Sequence, residues 1–413
     1  MNVLLTYRER QLGVVGPFPV DRPRWHDVTP VTEHLLELLG VPAVVLRLLD
    51  VQGGGGGLGG LVSYHAELLA EPPAGLALRP ATPAESDALR PQAHRAEYAT
   101  ADGVRAALDW AEQALAAAGR PTTGPVEQVK TWNLAGLFRL PTAAGPVWLK
   151  TGRHFAVDEA AVIALFRSVA PESAPTVLAA DPDHRLLLLD HVPGEDCWGP
   201  SAEVVADAVP RLVRAQAALA ASYPGGAPGG LRDRTPAALV PAVKALLDGP
   251  AAAELTADEL AGARAMVDRL PELVEQLASC GLPDVVLHGD FHPGNWRSTG
   301  GSARPGSGGG TAVLVDFADA CFGHPALDGL RPKDFCSGER WAQAAATWCE
   351  AWRTVAPGSD PERALRLAAP FSHLGYAVRY QEFLDAIEPS EYRYHAGDPA
   401  AELRAALAAF AAV

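Results

Sequence analysis

Two polar segments of the sequence contain the residue types that bind magnesium in proteins. Val285–Asn295 reads VVLHGDFHPGN and Ala312–Asp328 reads AVLVDFADACFGHPALD. Each begins with a short apolar run, typical of a buried strand, that leads into a polar loop. Such loops would place Asp290, Asn295 and Asp316 at the same end of two adjacent strands, where three oxygen-bearing side chains converge. Because magnesium prefers oxygen ligands and completes its shell with phosphate oxygens and water, Asn295 and Asp316 fit the role of metal ligands.

A structural alternative exists for both segments. Asp, Asn and Gly are ordinary turn formers, so the two motifs could be capped turns after buried strands. Their order along the chain and their placement at strand ends favour the functional interpretation.

The motif HGDFHPGN, followed downstream by VDF, resembles the catalytic and metal-binding signature of the aminoglycoside phosphotransferase superfamily. The resemblance extends from about residue 126 to the end of the chain, with specific motifs between residues 150 and 328. It implies that Asp290 is the catalytic base that accepts the proton of a substrate hydroxyl, and that Asn295 and Asp316 bind Mg2+.

Other polar residues of these segments are expected to support the loops. His288 resembles the family histidine that braces the catalytic loop, and Pro293 and Gly294 indicate that the neighbouring His292 shapes the loop. Asp328 is expected to anchor the loop by hydrogen bonds. For Asp319, anchoring and substrate contact both stay open.

The resemblance also implies a nucleotide site. Lys150 ends the strand PVWLK and is the candidate cation for the ATP phosphates, with Glu159 in the following helix as its partner. A lysine at a strand edge and a glutamate in a first helical turn are also common without such a role. The segment after the strand RLLLLD corresponds to the hinge whose backbone would bind adenine, namely Asp190, His191 and Val192. The loop TWNLAGLF lacks GxGxxG, which leaves the phosphate-covering residues undefined.

Hydrophobic periodicity together with the resemblance predicts the fold. The expected class is α+β, a protein-kinase-like bilobal fold with a small antiparallel-sheet N-lobe and a mainly helical C-lobe. Residues 1–100 are predicted to form an added, non-catalytic α/β domain. Residues 101–193 are predicted to form the N-lobe with the nucleotide-binding sheet, and residues 194–413 the C-lobe. The Gly/Ser-rich stretch Ser298–Gly310 is expected to be a solvated hairpin tip.

Composition limits the possible partners. A formal net charge of -15 and a pI near 5.2 argue against nucleic acid as a partner, because no basic surplus exists to neutralise phosphates. The five cysteines show no CxxC pairing, which favours a reducing cytoplasm. No stretch has the roughly 18 uninterrupted apolar residues of a membrane span, so a membrane partner is not expected either.

These features predict a small-molecule kinase that uses ATP and Mg2+ to phosphorylate a hydroxyl group. An aminoglycoside or amino sugar is one acceptor that the resemblance implies. A sugar, a choline-like alcohol, homoserine or a nucleoside antibiotic are alternatives on the same fold, and a non-catalytic nucleotide-binding protein is a more distant one. Four acidic residues near the C-terminus could receive the amino groups of a cationic acceptor or could form a solvated helix face; they are Glu382, Asp385, Glu388 and Glu391.

Overall fold

The computed structural model describes residues 1–8, 10–21, 24–73, 75–224, 226–299 and 312–413. The chain forms two compact units. Unit 1 comprises Met1–Phe155, Val177–His191 and Phe383–Ala396, and unit 2 comprises Ala156–Thr176, Val192–Glu382 and Gly397–Val413. No helix in the described part of the chain is both long and apolar enough to cross a membrane. The predicted Gly/Ser-rich hairpin tip lies, beyond its first two residues, outside the described residues.

The described residues of unit 1 form two sheets. One has the strand order β2-β1-β4-β3, with β1 and β4 parallel and the other pairs antiparallel. The other is antiparallel throughout, in the order β5-β6-β7-β9-β8. The elements are β1 (Asn2–Tyr7), β2 (Arg10–Val15), α1 (Thr29–Leu39), β3 (Ala43–Gln52), β4 (Leu61–Leu68), α2 (Pro83–Asp87), α3 (Ala101–Ala117), β5 (Glu127–Thr131), β6 (Gly136–Leu140), β7 (Val147–Thr151), β8 (Val177–Asp181) and β9 (Leu186–Asp190).

Strand β3 contributes to two hydrophobic cores, because successive side chains of a strand point to opposite faces. Val45 belongs to the core that packs against α1. Val44 and Leu46, on the other face, belong to a core shared with α3 and with Phe138 and Leu149 of the antiparallel sheet. The two sheets of unit 1 are therefore packed together, and the division of the chain at residue 100 stays a prediction.

The side chain of Gln128 joins β5 to β3, because its amide group makes the two hydrogen bonds to the β3 backbone that a neighbouring strand would make. Its Nε2 donates to the Val45 carbonyl at 2.7 Å, and its Oε1 accepts from the Val45 N–H at 2.8 Å. Gln128 is buried, so this amide satisfies two backbone groups that water does not reach.

Two of the acidic residues near the C-terminus are buried in unit 1. Glu388 accepts hydrogen bonds from Arg95, the shortest at 2.8 Å, and lies 3.4 Å from Arg47 Nε. Glu391 pairs with Arg153 at 3.1 Å. The prediction of a solvated helix face is therefore wrong for both, since each carboxylate is 1–2 % exposed and is neutralised by arginine.

Unit 2 is mainly helical, with short strands that end in polar loops. Its strands form a three-stranded sheet, β10-β12-β13, and an antiparallel pair, β11 and β14. The helix Pro361–Ala386 is divided between the units, and its last four residues, 383–386, belong to unit 1. The elements are α4 (Glu159–Val169), β10 (Glu195–Asp196), α5 (Ala202–Ser222), α6 (Pro236–Leu247), α7 (Ala257–Ala278), β11 (Val285–Leu287), β12 (Trp296–Ser298), β13 (Val313–Leu314), β14 (Cys321–Gly323), α8 (Ala326–Leu330), α9 (Gly338–Val355), α10 (Pro361–Ala386) and α11 (Asp398–Ala411).

The predicted fold class is confirmed: antiparallel sheet precedes a helical C-terminal part, with an additional α/β sheet at the N-terminus. Helix α6 was not predicted, because Gly/Pro-rich sequence before it masked the start at Thr235, whose side chain caps the helix ahead of Pro236. Strand β2 was also missed. Its residues change gradually from exposed at Arg10 to buried at Val15, so apolar and polar residues do not alternate as they do in a half-buried strand.

We expect Gln128→Leu to lower the free energy of unfolding by about 2 kcal/mol, because it leaves the Val45 N–H and carbonyl buried without partners. Chemical denaturation followed by tryptophan fluorescence measures the change. Gln113→Leu, at an exposed position of α3, is the matched control and should shift stability by less than about 0.5 kcal/mol. Equal stability of Gln128→Leu and the wild type would show that this amide does not join the sheets.

Candidate active site

The loop that follows β11 is fixed by the carboxylate of Asp328. One oxygen, Oδ2, accepts from the His288 N–H at 2.7 Å and from Gln216 Nε2 at 2.8 Å. The other, Oδ1, accepts from the Gly289 N–H at 3.0 Å. The predicted anchoring role of Asp328 is confirmed by these bonds.

Gly289 is required by the geometry of this loop. Its φ is +84°, and a Cβ at this position would lie 2.0 Å from the Asp319 carbonyl oxygen. Only glycine combines this backbone conformation with such a close approach. The HGD turn therefore packs directly against the loop that carries Asp319.

The environment of Asp328 opposes its ionisation. Burial raises the pKa of Asp328 to about 7, although the N–H groups of His288 and Gly289 act in the opposite direction by stabilising the carboxylate. The loop thus depends on a buried acid whose hydrogen bonds offset part of the cost of its desolvation.

His288 connects the two polar loops. Burial lowers its pKa to about 4, so the ring is neutral near pH 7. Its Nδ1 accepts from the Asp290 N–H at 3.3 Å, which leaves Nε2 to donate to the Val315 carbonyl at 3.1 Å. The ring also packs on Phe317, with centroids 4.5 Å apart. The predicted bracing role of His288 is confirmed.

The carboxylate of Asp290 lies at the centre of a set of donors. Arg331 Nε donates to Oδ1 at 2.7 Å, and Asn295 Nδ2 donates to Oδ2 at 3.2 Å. His292 Nε2 lies 3.3 Å from Oδ2. Because His292 Nδ1 accepts from the Gly294 N–H at 3.0 Å, a ring proton is on Nε2. His292 therefore shapes the loop, as predicted, and also contacts Asp290.

These donors keep Asp290 ionised. Burial alone would raise the pKa of Asp290, but the hydrogen bonds and positive charge supplied by His292 and Arg331 outweigh it and hold the pKa well below its usual range. The half-buried Asp290 carboxylate, whose side chain is 21 % exposed, is thus ready to accept a further hydrogen bond at neutral pH.

Arg331 was not predicted from the sequence. Its guanidinium packs over the rings of Tyr376 and Phe335, at 4.3 and 4.6 Å from their centroids. The same side chain pairs with Asp290, which is 41 positions away in the sequence. No local motif marks such a contact; the position of Arg331 shortly after GHPALD is the only hint in the sequence.

Asn295 and Asp316 lie on adjoining backbone segments. The Val315 N–H donates to the Asn295 carbonyl at 2.9 Å, which brings the residue before Asp316 against Asn295. Asp316 has φ of +65°, an uncommon conformation that often marks functional positions. The next N–H, of Phe317, donates to Glu159 Oε1 at 3.0 Å. The structure therefore brings together Asp290 and Asn295, with Asp316 on the neighbouring segment.

The donor chemistry of Asn295 and Asp316 fits a magnesium ion. The amide nitrogen of Asn295 is used by Asp290, so its oxygen Oδ1 is the atom that it can offer to a cation. The described residues hold no group of three or more His, Cys, Asp or Glu that could bind a metal by themselves. Magnesium is commonly held by one or two protein oxygens, and phosphate oxygens and water complete its shell.

The remaining predicted residues lie in both units. Lys150 is in β7 of unit 1, paired in register with Leu137 and Leu187. Glu159 begins α4 of unit 2, so the predicted pair of Lys150 and Glu159 stays a prediction.

The predicted hinge residues already make contacts of their own. Asp190 accepts from Arg120 at 3.0 Å, and His191 Nδ1 accepts from Trp148 Nε1 at 3.1 Å. The Val192 carbonyl accepts from Arg297 at 3.2 Å. Their role in binding adenine through backbone atoms stays a prediction.

Comparison with known proteins agrees with this geometry. Residues 137–365 match APH, the phosphotransferase enzyme family. The chain belongs to this family. Among solved structures, it is similar to choline kinase LicA from Streptococcus pneumoniae, with 11 % identity, a TM-score of 0.51 and coverage of 74 % of this chain and 99 % of that one.

A second similar structure is the GDP complex of aminoglycoside 2'-phosphotransferase-IIIa, with 13 % identity, a TM-score of 0.50 and coverage of 73 % and 98 %. At these identities the two structures support the protein-kinase-like fold alone. No curated protein matches the chain.

We expect Asp328→Asn to lower turnover by about 10- to 100-fold, because its amide group would meet backbone N–H groups and displace the catalytic loop. Nucleotide affinity should change much less. Asp268→Asn, an exposed substitution in α7, serves as the control. If folded Asp328→Asn had wild-type turnover, the loop would not depend on this anchor.

Proposed function

We propose that this protein transfers the γ-phosphoryl group of ATP to a hydroxyl group of a small molecule, with Asp290 as the catalytic base. The observation that carries the proposal is the state of the Asp290 carboxylate. In the described part of the chain, Arg331 and Asn295 donate to it, and His292 Nε2 lies 3.3 Å from its Oδ2. A carboxylate accepts about four hydrogen bonds, so Oδ1 retains the capacity to accept one from a substrate hydroxyl.

In the proposed reaction, the acceptor oxygen attacks the γ-phosphorus as its proton passes to Asp290. The bond between the γ-phosphorus and the β–γ bridging oxygen breaks, and ADP leaves with that oxygen. A low pKa at Asp290 is compatible with this step, because phosphoryl transfer passes through a loose transition state in which positioning matters more than base strength. Asp290 accordingly orients the hydroxyl and receives its proton late.

The nucleotide would be held by the residues that the resemblance implies. Lys150 would neutralise charge on the phosphates, and Glu159 would orient Lys150. Backbone groups of Asp190, His191 and Val192 would bind adenine. Asn295 and Asp316 would hold Mg2+, which when bound neutralises charge on the phosphates.

The acidic residues near the C-terminus bear on the identity of the acceptor. A cationic acceptor such as an aminoglycoside needs free carboxylates. Glu382 instead accepts from Arg232 at 2.5 Å and also from Arg234, and Glu388 and Glu391 are buried against arginines. These contacts give no support to an aminoglycoside or amino sugar as the acceptor.

We expect Asp290→Asn to lower turnover on the order of 100-fold or more, because a positioned base contributes about that much. ATP affinity should stay near that of the wild type. The measurement is an ATP-consumption screen with sugars, alcohols, hydroxy acids, nucleosides and aminoglycosides as acceptors, followed by kinetics of the variant on the best of them.

Asp334→Asn is the matched control, because this exposed carboxylate also lies near Arg331, at 3.8 Å. It tests whether the loss of any negative charge beside Arg331 is enough to lower turnover. The control should keep its turnover. Wild-type turnover in Asp290→Asn would remove Asp290 from the base role, and nucleotide binding without phosphate transfer to any acceptor would oppose the proposed reaction.

A further inference from the structure

The guanidinium group of Arg331 lies directly beside the proposed base. Its Nε donates to Asp290 Oδ1 at 2.7 Å, and the Arg331 side chain is 13 % exposed. The group is therefore mostly buried but not closed off from solvent. In the proposed reaction only Asp290 meets the acceptor, although Arg331 presents hydrogen-bond donors at the same place.

Most of the hydrogen-bonding capacity of Arg331 is unused within the described part of the chain. A guanidinium has five N–H donors, one on Nε and the rest on its two terminal nitrogens. Nη1 lies 3.8 Å from Asp334 Oδ2, which is too far for a hydrogen bond, and Nη2 has no hydrogen-bond partner among the described residues. The terminal nitrogens can therefore donate to a bound molecule without breaking the contact with Asp290.

Two aromatic rings hold this guanidinium group in place. Its centre lies 4.3 Å from the ring centroid of Tyr376 and 4.6 Å from that of Phe335, distances at which a cation is attracted to an aromatic ring. Both rings also contact the catalytic loop. The Tyr376 hydroxyl donates to the Gly289 carbonyl at 3.0 Å, and the Phe335 ring stacks on His292 with centroids 4.2 Å apart. The guanidinium is thus fixed against residues on both sides of the proposed base in the sequence.

The two oxygens of the Asp290 carboxylate face different neighbours. Oδ2 accepts from Asn295, the candidate metal ligand, at 3.2 Å and lies 3.3 Å from His292 Nε2. Oδ1 accepts from Arg331 and is the oxygen proposed to bind the acceptor hydroxyl. The acceptor and the terminal nitrogens of Arg331 would therefore meet at the same oxygen of the carboxylate.

The shape of the guanidinium limits which acceptor atom these nitrogens can bind. The group is planar and rigid, so its terminal nitrogens lie close to Nε and hence close to Oδ1. Besides the reacting hydroxyl itself, the acceptor oxygen nearest to them is one on the neighbouring carbon. A second oxygen further along the molecule would lie away from these donors.

The charges at this place favour an uncharged oxygen. Arg331 is already paired with Asp290, which is ionised at neutral pH. A carboxylate of the acceptor would lie against the carboxylate of Asp290, and like charges at close range repel each other. A hydroxyl or ether oxygen accepts from Arg331 without this repulsion.

We propose that Arg331 determines the acceptor class: its terminal nitrogens bind a second, uncharged oxygen on the carbon next to the phosphorylated hydroxyl, so that the acceptor is a vicinal diol such as a sugar or a polyol. The inference rests on the proposed function, because it names the acceptor class of the same site. A site that donates to a substrate oxygen rejects an analogue without that oxygen, since the donor is then left unpaired.

The test compares acceptors that differ in the position or the charge of the second oxygen. It pairs trans-cyclohexane-1,2-diol with trans-cyclohexane-1,4-diol, glycerol with propane-1,3-diol and with glycerate, and glucose with each of its monodeoxy derivatives. Binding is measured by calorimetry and phosphate transfer by ADP release with ATP and Mg2+.

The same measurements are made in variants of Arg331. Arg331→Lys keeps the positive charge beside Asp290 but has a single terminal nitrogen in place of three, and Arg331→Gln is a second variant in case the first does not fold. Arg211→Lys is the matched control, because Arg211 is also mostly buried, at 18 % exposure, and pairs with Asp207 of the same helix, α5, at 2.7 Å. Melting temperatures show which variants are folded.

We expect at least one vicinal diol to have a kcat/KM about tenfold or more above that of its partner without the vicinal oxygen, a difference that one charge-assisted hydrogen bond supplies. This ratio should fall to near unity in the folded Arg331 variants and persist in Arg211→Lys. The inference is overturned if the compounds without the vicinal oxygen are equal or better acceptors, or if glycerate is preferred to glycerol. It is also overturned if a folded Arg331 variant loses activity on both members of a pair equally and so keeps the ratio, because Arg331 would then only position Asp290.

The same experiment separates the two proposals. Phosphate transfer to the 1,3- or 1,4-diol in preference to the vicinal diols would contradict the inference and leave the kinase function standing. Binding of vicinal diols that is lost in the Arg331 variants, without ADP release for any acceptor, would support the Arg331 site and oppose the proposed function. If no vicinal diol is bound or phosphorylated by the wild type, the inference is overturned.

Discussion

The candidate active site depends on one buried carboxylate, that of Asp328. Its two oxygens receive the N–H groups of His288 and Gly289 and the amide of Gln216, and so fix the turn that precedes Asp290. Burial disfavours the charge of this carboxylate, and its three donors offset part of that cost. The positions of the downstream loop residues follow from this anchor.

Arginine pairing determines the electrostatics of both units. Although the chain is acidic overall, three of its carboxylates pair with arginines: Glu388 and Glu391, which are buried in unit 1, and the half-buried Asp290 in unit 2. An unpaired buried charge is strongly unfavourable, so each of these acids requires its partner.

The sequence predicted what depends on local pattern. Strand alternation predicted the antiparallel sheet, the motif HGDFHPGN predicted a polar loop after a strand, and the segment GHPALD predicted the anchoring role of Asp328. Contacts between distant residues escaped prediction: Arg331 reaches Asp290 across 41 positions, and Arg153 reaches Glu391 across 238. Periodicity reports which face of an element is buried, but not which partner the fold brings to a charged side chain. The sequence pattern therefore predicts that Glu388 and Glu391 lie on the surface, although both are buried.

The most direct test of the account is whether the two loops form a nucleotide-dependent metal site. Mn2+ binding can be followed by electron paramagnetic resonance, with and without a non-hydrolysable ATP analogue, in the wild type and in Asp316→Ala. We predict that the wild type binds Mn2+ about tenfold or more tightly with the analogue present, since the phosphates complete the metal shell, and that folded Asp316→Ala loses this gain. An equal gain in Asp316→Ala, or none in the wild type, would contradict the account.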